Sequence, residues 1–238
     1  MNDLFIQQAE IDWEKVSASS YLRSIPSIKS IETLEFRRSV TFFVGENGSG
    51  KSTLIEAIAV ACGFNPEGGT RNYSFSTKDT HSELCEAMHI VKGFRKQKNG
   101  YFLRAESFYN VATMEEEYAD IRHPSQRYHE KSHGESFLAL AQNQFGSNGL
   151  YLLDEPEAAL SAQNQLALLF LIHSCANNGS QFFIVTHSPI LLGLPDADIL
   201  SFDGGKIHRC SYEDTESFRV TDMFIRRRDA MLRQLFEE

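Results

Sequence analysis

Gly45-Glu46-Asn47-Gly48-Ser49-Gly50-Lys51-Ser52-Thr53 satisfies the pattern G-x-x-x-x-G-K-[ST] from Gly45 through Ser52. The run that feeds it, Ser39-Val-Thr-Phe-Phe-Val44, is β-branched and aromatic, the composition of a buried strand. Behind it, Leu54-Ile-Glu-Ala-Ile-Ala-Val60 has the composition of a helix packed on a sheet. Strand, glycine-rich turn and helix form the context this pattern needs before it carries meaning. The glycines let the backbone curl so that successive N–H groups point at phosphate oxygens, aided by the positive end of the helix dipole. In that setting Lys51 reaches the β- and γ-phosphates of a nucleotide, and the Ser52 hydroxyl ligates Mg²⁺. A glycine-rich turn that binds nothing is the bland alternative, and the flanking strand and helix argue against it.

Leu150-Tyr-Leu-Leu-Asp154-Glu155-Pro156 is a second decisive stretch, an apolar run ending in a pair of carboxylates. An apolar strand delivers its last residues to the carboxyl edge of a parallel sheet, where open α/β folds bind ligands. Asp154 there suits Mg²⁺, directly or through water, because hard magnesium prefers carboxylate and water oxygens. Glu155 can polarise a water for in-line attack on a γ-phosphate. Pro156 stops the strand and opens the next helix. In Gln181-Phe-Phe-Ile-Val-Thr-His187-Ser-Pro189 an apolar strand again ends at a polar residue. His187 is expected at the same sheet edge, near the γ-phosphate or the attacking water.

In this order the segments resemble an ATP-binding-cassette (ABC) ATPase: Walker A, Walker B with a catalytic glutamate, and a switch histidine. The family also carries a Ser-Gly-Gly-Gln turn opening a helix upstream of Walker B. This chain has Ser132-His133-Gly134-Glu135 there, followed by Ser-Phe-Leu-Ala-Leu-Ala. His stands for Gly, Glu for Gln, and Lys131 replaces the usual Leu. Ser132 can still cap the helix, and Gly134 allows close approach of a phosphate. The resemblance implies a P-loop α/β fold with a parallel core sheet and flanking helices, an N-terminal antiparallel sheet and a small helical lobe. It implies one domain over residues 1–238, with the lobe at about 109–145. It also implies Mg²⁺-dependent ATP hydrolysis in a homodimer. Gly45 through Thr53 would hold the nucleotide on one side, and Ser132, Gly134 and Glu135 of the opposite copy on the other. Lys51, Glu155 and His187 would be catalytic, and Ser52 and Asp154 would hold the metal.

Asp-Glu-Pro-Glu157-Ala-Ala159-Leu160-Ser161 differs from the Asp-Glu-Pro-Thr-Ser-Ala-Leu-Asp of transporter cassettes and resembles chromosome-maintenance, RecF-type and stand-alone ATPases. Tyr101-Phe-Leu-Arg-Ala-Glu-Ser-Phe108 resembles a block of small bacterial cassette-class ATPases. No glutamine ends a convincing strand where the Q-loop belongs; Glu106 is the stand-in, with pairing to Arg104 or Arg95 as its structural alternative. Tyr21 and Arg23 lie where cassette ATPases place an adenine contact. The coupled process is open: DNA repair or defence, a transporter's nucleotide-binding subunit, or an ATP-gated switch, with a protein or nucleic-acid partner unspecified.

A chain of 238 residues can bury a sizeable core, and 18 Phe supply it. A net charge of −9 gives no support to a strongly basic nucleic-acid binder. Cys62, Cys85, Cys175 and Cys210 lack C-x-x-C spacing and read as free thiols of a reducing compartment. The early acids and missing apolar h-region argue against a signal peptide, and no apolar stretch is long enough to span a bilayer, so a cytoplasmic enzyme is expected. Residues 1–36 are expected to form an edge sheet and a loop, and residues 82–93 a short helix. Lys92 to Gly100 reads as a solvated hairpin tip, with contact to nucleic-acid phosphates as the alternative, and the segment after Walker B from Glu157 to Cys175 as helix. Two strands are expected around Asp203-Gly204-Gly205, then a tail helix from Thr221 whose apolar stripe packs into the core, with a partner-docking helix as the alternative. His123, His129 and His133 show no zinc pattern.

Overall fold

The structure is a computed structural model and describes residues 3–70, 82–104 and 133–236. Six strands form the main sheet in the order β5-β6-β7-β3-β8-β9. They are β3 (Val40–Val44), β5 (Asn99–Arg104), β6 (Gly149–Asp154), β7 (Gln181–Val185), β8 (Asp198–Ser201) and β9 (His208–Arg209). All pair in parallel except β8 with β9. Each of β3, β6 and β7 is buried along its length, as a parallel sheet covered on both faces requires. Side chains alternate between two apolar layers. Phe43, Phe102, Leu150, Leu152, Phe183 and Val185 face one layer, and Phe42, Tyr101, Leu103, Tyr151, Leu153, Phe182 and Ile184 face the other.

Helix α2 (Lys51–Ala61) fills the first layer with Leu54, Ile55, Ala57, Ile58 and Ala59. Beyond it lies an antiparallel sheet of β2 (Thr33–Glu35), β1 (Ile6–Ile11) and β4 (Met88–Lys92), the N-terminal sheet expected from sequence with one later strand added. Gln181 ties the sheets together: its side chain accepts from Ile6 N and donates to Ile6 O, each at 2.9 Å. Helices α4 (His133–Gln144) and α5 (Ala162–Asn177) cover the opposite face.

Three expectations need correction. The helix expected over 82–93 is only α3 (Leu84–Ala87), because Met88 onward pairs with β1 as β4. The segment from Lys92 to Gly100 is not a hairpin tip. It carries the chain from β4 in one sheet to β5 in the other, and Arg95 within it bonds Asn148 Oδ1 and lies over the Phe5 ring. The tail helix α7 (Glu216–Phe236) buries no residue; Ile225 is 73% exposed and Phe236 78%. Its spacing is amphipathic, but Met223, Phe224, Ile225, Leu235 and Phe236 stay exposed while Phe218, Met231 and Leu232 are only partly buried, and Arg227 at φ −130 interrupts the helix. The segment from Glu157 is helical as expected in character, although α5 proper begins at Ala162, capped by Ser161. The turn at Asp203–Gly205 joins β8 and β9 as anticipated. Of the lobe expected at 109–145, residues 109–132 lie outside the described residues, as do Glu106, Ser132, His123 and His129.

Candidate functional site

β3 ends at Val44, and the chain turns through Gly45 to Gly50 into α2. Gly50 adopts φ +95, and a Cβ there would come within 2.6 Å of Ile28 Cγ1, so both backbone and space demand glycine. Two outside contacts brace the loop. The Ser27 hydroxyl donates to Ser49 O, and the Glu46 N–H donates to Asp203 Oδ1 at 2.9 Å. Lys51 is 4% exposed and donates to Gly45 O at 2.6 Å and Glu46 O at 2.8 Å, so its ammonium spans the inside of the loop. Burial pulls the Lys51 pKa down, while Glu155, Asp203, Asp154 and Glu157 act against that and favour the charged form.

Parallel register sets the rest of the edge. Asp154, at the end of β6, accepts from Ser52 Oγ through Oδ1 at 3.0 Å. A hydroxyl and a carboxylate oxygen thus converge from two chain segments, a hard oxygen pair suited to magnesium. Glu155 adopts φ 52 and ψ 50, the left-handed region, with its N–H donated to Val185 O at 3.0 Å. Such a conformation costs a non-glycine residue on the order of 1 kcal/mol, and here it turns the chain sharply off the strand. His187 follows β7, and its Nε2 lies 3.9 Å from Glu155 Oε1. An open cleft of about 600 Å³ is lined by Glu46, Asn47, Gly48, Glu155, His187 and Glu216. A larger cleft of about 950 Å³ adjoins it, reaching from Gly45, His187 and Asp203 to the start of α7.

Gly134 and Glu135 form the first turn of α4 and do not line the smaller cleft. A Cβ on Gly134 would meet Ala159 O at 2.7 Å, so this glycine permits α4 to pack against the turn after Glu155. Tyr21 is 57% exposed, with its hydroxyl on Ser82 Oγ at 3.3 Å. Arg23 donates to the carbonyls of Trp13, Val16 and Ser17 and lies 5.3 Å from the Trp13 ring centre, an anchor for its own loop. Among the described residues no cluster of three or more His, Cys, Asp or Glu could hold a metal by itself. All four cysteines are free.

Sequence reading did not reveal Asp203, Glu157 or Arg104 as parts of this edge. Glu157 accepts from the His187 N–H and so links the turn after Glu155 to the segment that follows β7. Burial pushes its carboxyl pKa up, while that hydrogen bond and one from the Thr186 side chain oppose the shift. The early signals were its place two residues after Glu155 and its departure from the transporter-cassette pattern, neither of which pointed to His187.

Fold and edge together define an α/β domain in which a glycine-rich loop joins a central parallel strand to a helix. A family model described as an AAA domain, AAA_23, matches residues 21–178, and the chain belongs to that family. The galactofuranose transporter ATP-binding protein YtfR of Escherichia coli K12 is 24% identical over 188 residues, covering 68% of this chain and 37% of YtfR. The chain therefore spans little more than a third of that relative's length. Protein McbF of Escherichia coli is 23% identical over 238 residues, 92% of each chain. Among solved structures, the SMC head domain from Thermotoga maritima matches with TM-score 0.46 and 15% identity, over 87% of this chain and 99% of that one. CbiO1 from Clostridium perfringens, part of the ABC transporter complex cbiONQ, matches with TM-score 0.49 and 13% identity, over 95% and 97%.

Proposed function

We propose that this chain binds Mg·ATP and hydrolyses it between two copies of itself, as one domain over residues 1–238. The observation that carries the reading is the meeting of Ser52 with Asp154, beside Lys51, Glu155 and His187, at one edge of one sheet. The loop from Gly45 to Thr53 holds the phosphates through backbone N–H groups, and Lys51 exchanges its carbonyl contacts for phosphate oxygens. Magnesium held by Ser52 and Asp154 would neutralise charge on the β- and γ-phosphates. Glu155 takes a proton from the attacking water, and His187 orients that water or the γ-phosphate from the neighbouring strand end. The turn at Ser132, Gly134 and Glu135 engages the nucleotide of the opposite copy and completes the site only in the dimer.

Glu155→Gln should leave ATP binding intact, suppress phosphate release and trap a dimer on sizing chromatography; turnover at the wild-type rate refutes the role. No helix among the described residues is long and apolar enough to cross a membrane, and a cytoplasmic location fits the reading. The resemblance of the Asp154–Ser161 segment to chromosome-maintenance and RecF-type ATPases supports coupling to DNA repair or defence, and the macromolecule that stimulates turnover would identify it. The second reading is a transporter's nucleotide-binding subunit, favoured by the name of the relative YtfR. Co-purification with a membrane partner would support it. An ATP-gated switch without hydrolysis would show no steady-state phosphate release.

A further inference from the structure

β5 and β6 run parallel, and Arg104, the last residue of β5, pairs in register with Asp154, the last of β6. Arg104 Nη1 donates to Glu56 Oε2 at 2.7 Å and to Pro66 O at 3.1 Å, and its Nε lies 3.7 Å from Asp154 Oδ2. The three side chains are only 18%, 17% and 8% exposed for Arg104, Glu56 and Asp154. Glu56 stands one helical turn beyond Ser52 on α2, and Ser52 holds the other oxygen of Asp154. The result is a closed circuit from Ser52 to Asp154, Arg104 and Glu56, returning along α2. One oxygen of Asp154 faces a hydroxyl and the other a guanidinium.

We propose that Arg104 is a positioning residue that fixes which oxygen of Asp154 faces the magnesium pocket, with Glu56 as its counter-ion. The proposal rests on the reading of Ser52 and Asp154 as the magnesium-holding pair. A carboxylate's terminal torsion is broad, so a free aspartate would sample many orientations at the sheet edge. The guanidinium restricts that freedom electrostatically: its Nη1 is bonded to Glu56, and its Nε stands at an ion-pair distance of 3.7 Å from Asp154 Oδ2, a span a lysine ammonium cannot reproduce with the same geometry. Glu56 matters for a separate reason: it balances the guanidinium, so no uncompensated positive charge stands next to a cation site. Partners that orient metal ligands typically change metal affinity by about 10- to 100-fold when removed.

The test is calorimetric titration of the full chain with ADP, in excess EDTA and across a Mg²⁺ series. Arg104→Gln should keep its metal-free ADP affinity within about twofold of wild type, while the Mg²⁺ needed for half-maximal enhancement rises about tenfold. Arg104→Lys should fall between them, and Glu56→Gln should shift the same way by less. An unchanged or lowered Mg²⁺ requirement in Arg104→Gln overturns the proposal. So does an equal loss of affinity with and without metal, which marks a mere strut. If Arg104→Gln does not fold, Glu56→Gln decides: an unaltered Mg²⁺ requirement overturns the proposal. If wild-type protein binds ADP with no response to Mg²⁺, the Ser52–Asp154 reading itself has failed. If it responds normally and only the variants do not differ from it, the role of Arg104 alone has failed.

Discussion

Asp203 offers a test of how the phosphate loop is held open for a ligand. Its Oδ1 accepts the Glu46 N–H at 2.9 Å, and its Oδ2 lies 3.2 Å from Ser201 Oγ, which also receives the Asp203 N–H. Asp203→Ala removes the carboxylate oxygen that accepts that amide. A hydrogen bond to a charged group is worth about 1.5–3 kcal/mol when sheltered, and the solvent-facing position here brings it toward 1–2 kcal/mol. If that energy orders the loop before binding, its loss appears as roughly 5- to 30-fold weaker affinity for Mg·ADP. An opposing effect exists: the Asp203 carboxylate repels phosphate, so its removal should also strengthen binding. Asp203→Asn separates the two, since it keeps an oxygen acceptor and discards the charge. Repulsion across solvent is screened within about 8 Å at physiological salt, so the hydrogen bond should win. Titration calorimetry at about 0.15 M salt should rank Asp203→Ala well below wild type and Asp203→Asn near or above it. Equal losses in both variants, or Asp203→Ala within twofold of wild type, would refute the reasoning.

Glu155→Gly should abolish turnover yet leave the melting temperature unchanged or up to about 2–4 °C higher, because release of the left-handed strain offsets the added chain entropy. A clear fall in scanning calorimetry would show that φ 52 carries no strain. Glu157→Gln should raise thermal stability at pH 8, with the gain shrinking as pH falls toward the ordinary carboxyl value of 4.5. The sign follows from the raised folded pKa: the wild-type contribution is present below the unfolded pKa and is lost as pH rises through the folded one. A gain that persists unchanged into acid would contradict this. Ile225→Ser on α7 should alter unfolding free energy by less than about 0.5 kcal/mol, since the residue is 73% exposed; a larger loss in denaturant titration would mean this face is covered in solution.

Local chemistry decided what could be read without coordinates. The loop from Gly45 to Ser52 announces itself because few sequences combine those glycines, a lysine and a hydroxyl between a strand and a helix. Val40 to Val44, Leu150 to Leu153 and Phe182 to Val185 declare buried parallel strands through unbroken apolar runs, and each apolar run that ends in a polar residue points to the ligand edge. Those segments gave the fold class and the candidates Lys51, Ser52, Asp154, Glu155 and His187. What they could not give was partnership across the chain. Arg104 meets Asp154 and Glu56, Asp203 meets Glu46, and Glu157 meets His187 only because strand order and register bring distant segments together. The same limit explains the misread elements. Met88 to Lys92 is a strand because β1 lies beside it, and the periodicity of α7 carries no information about whether a core is there to receive it. Hydrophobic period and motif spacing are properties of a few consecutive residues, whereas a hydrogen bond spanning 157 residues is a property of the folded chain alone.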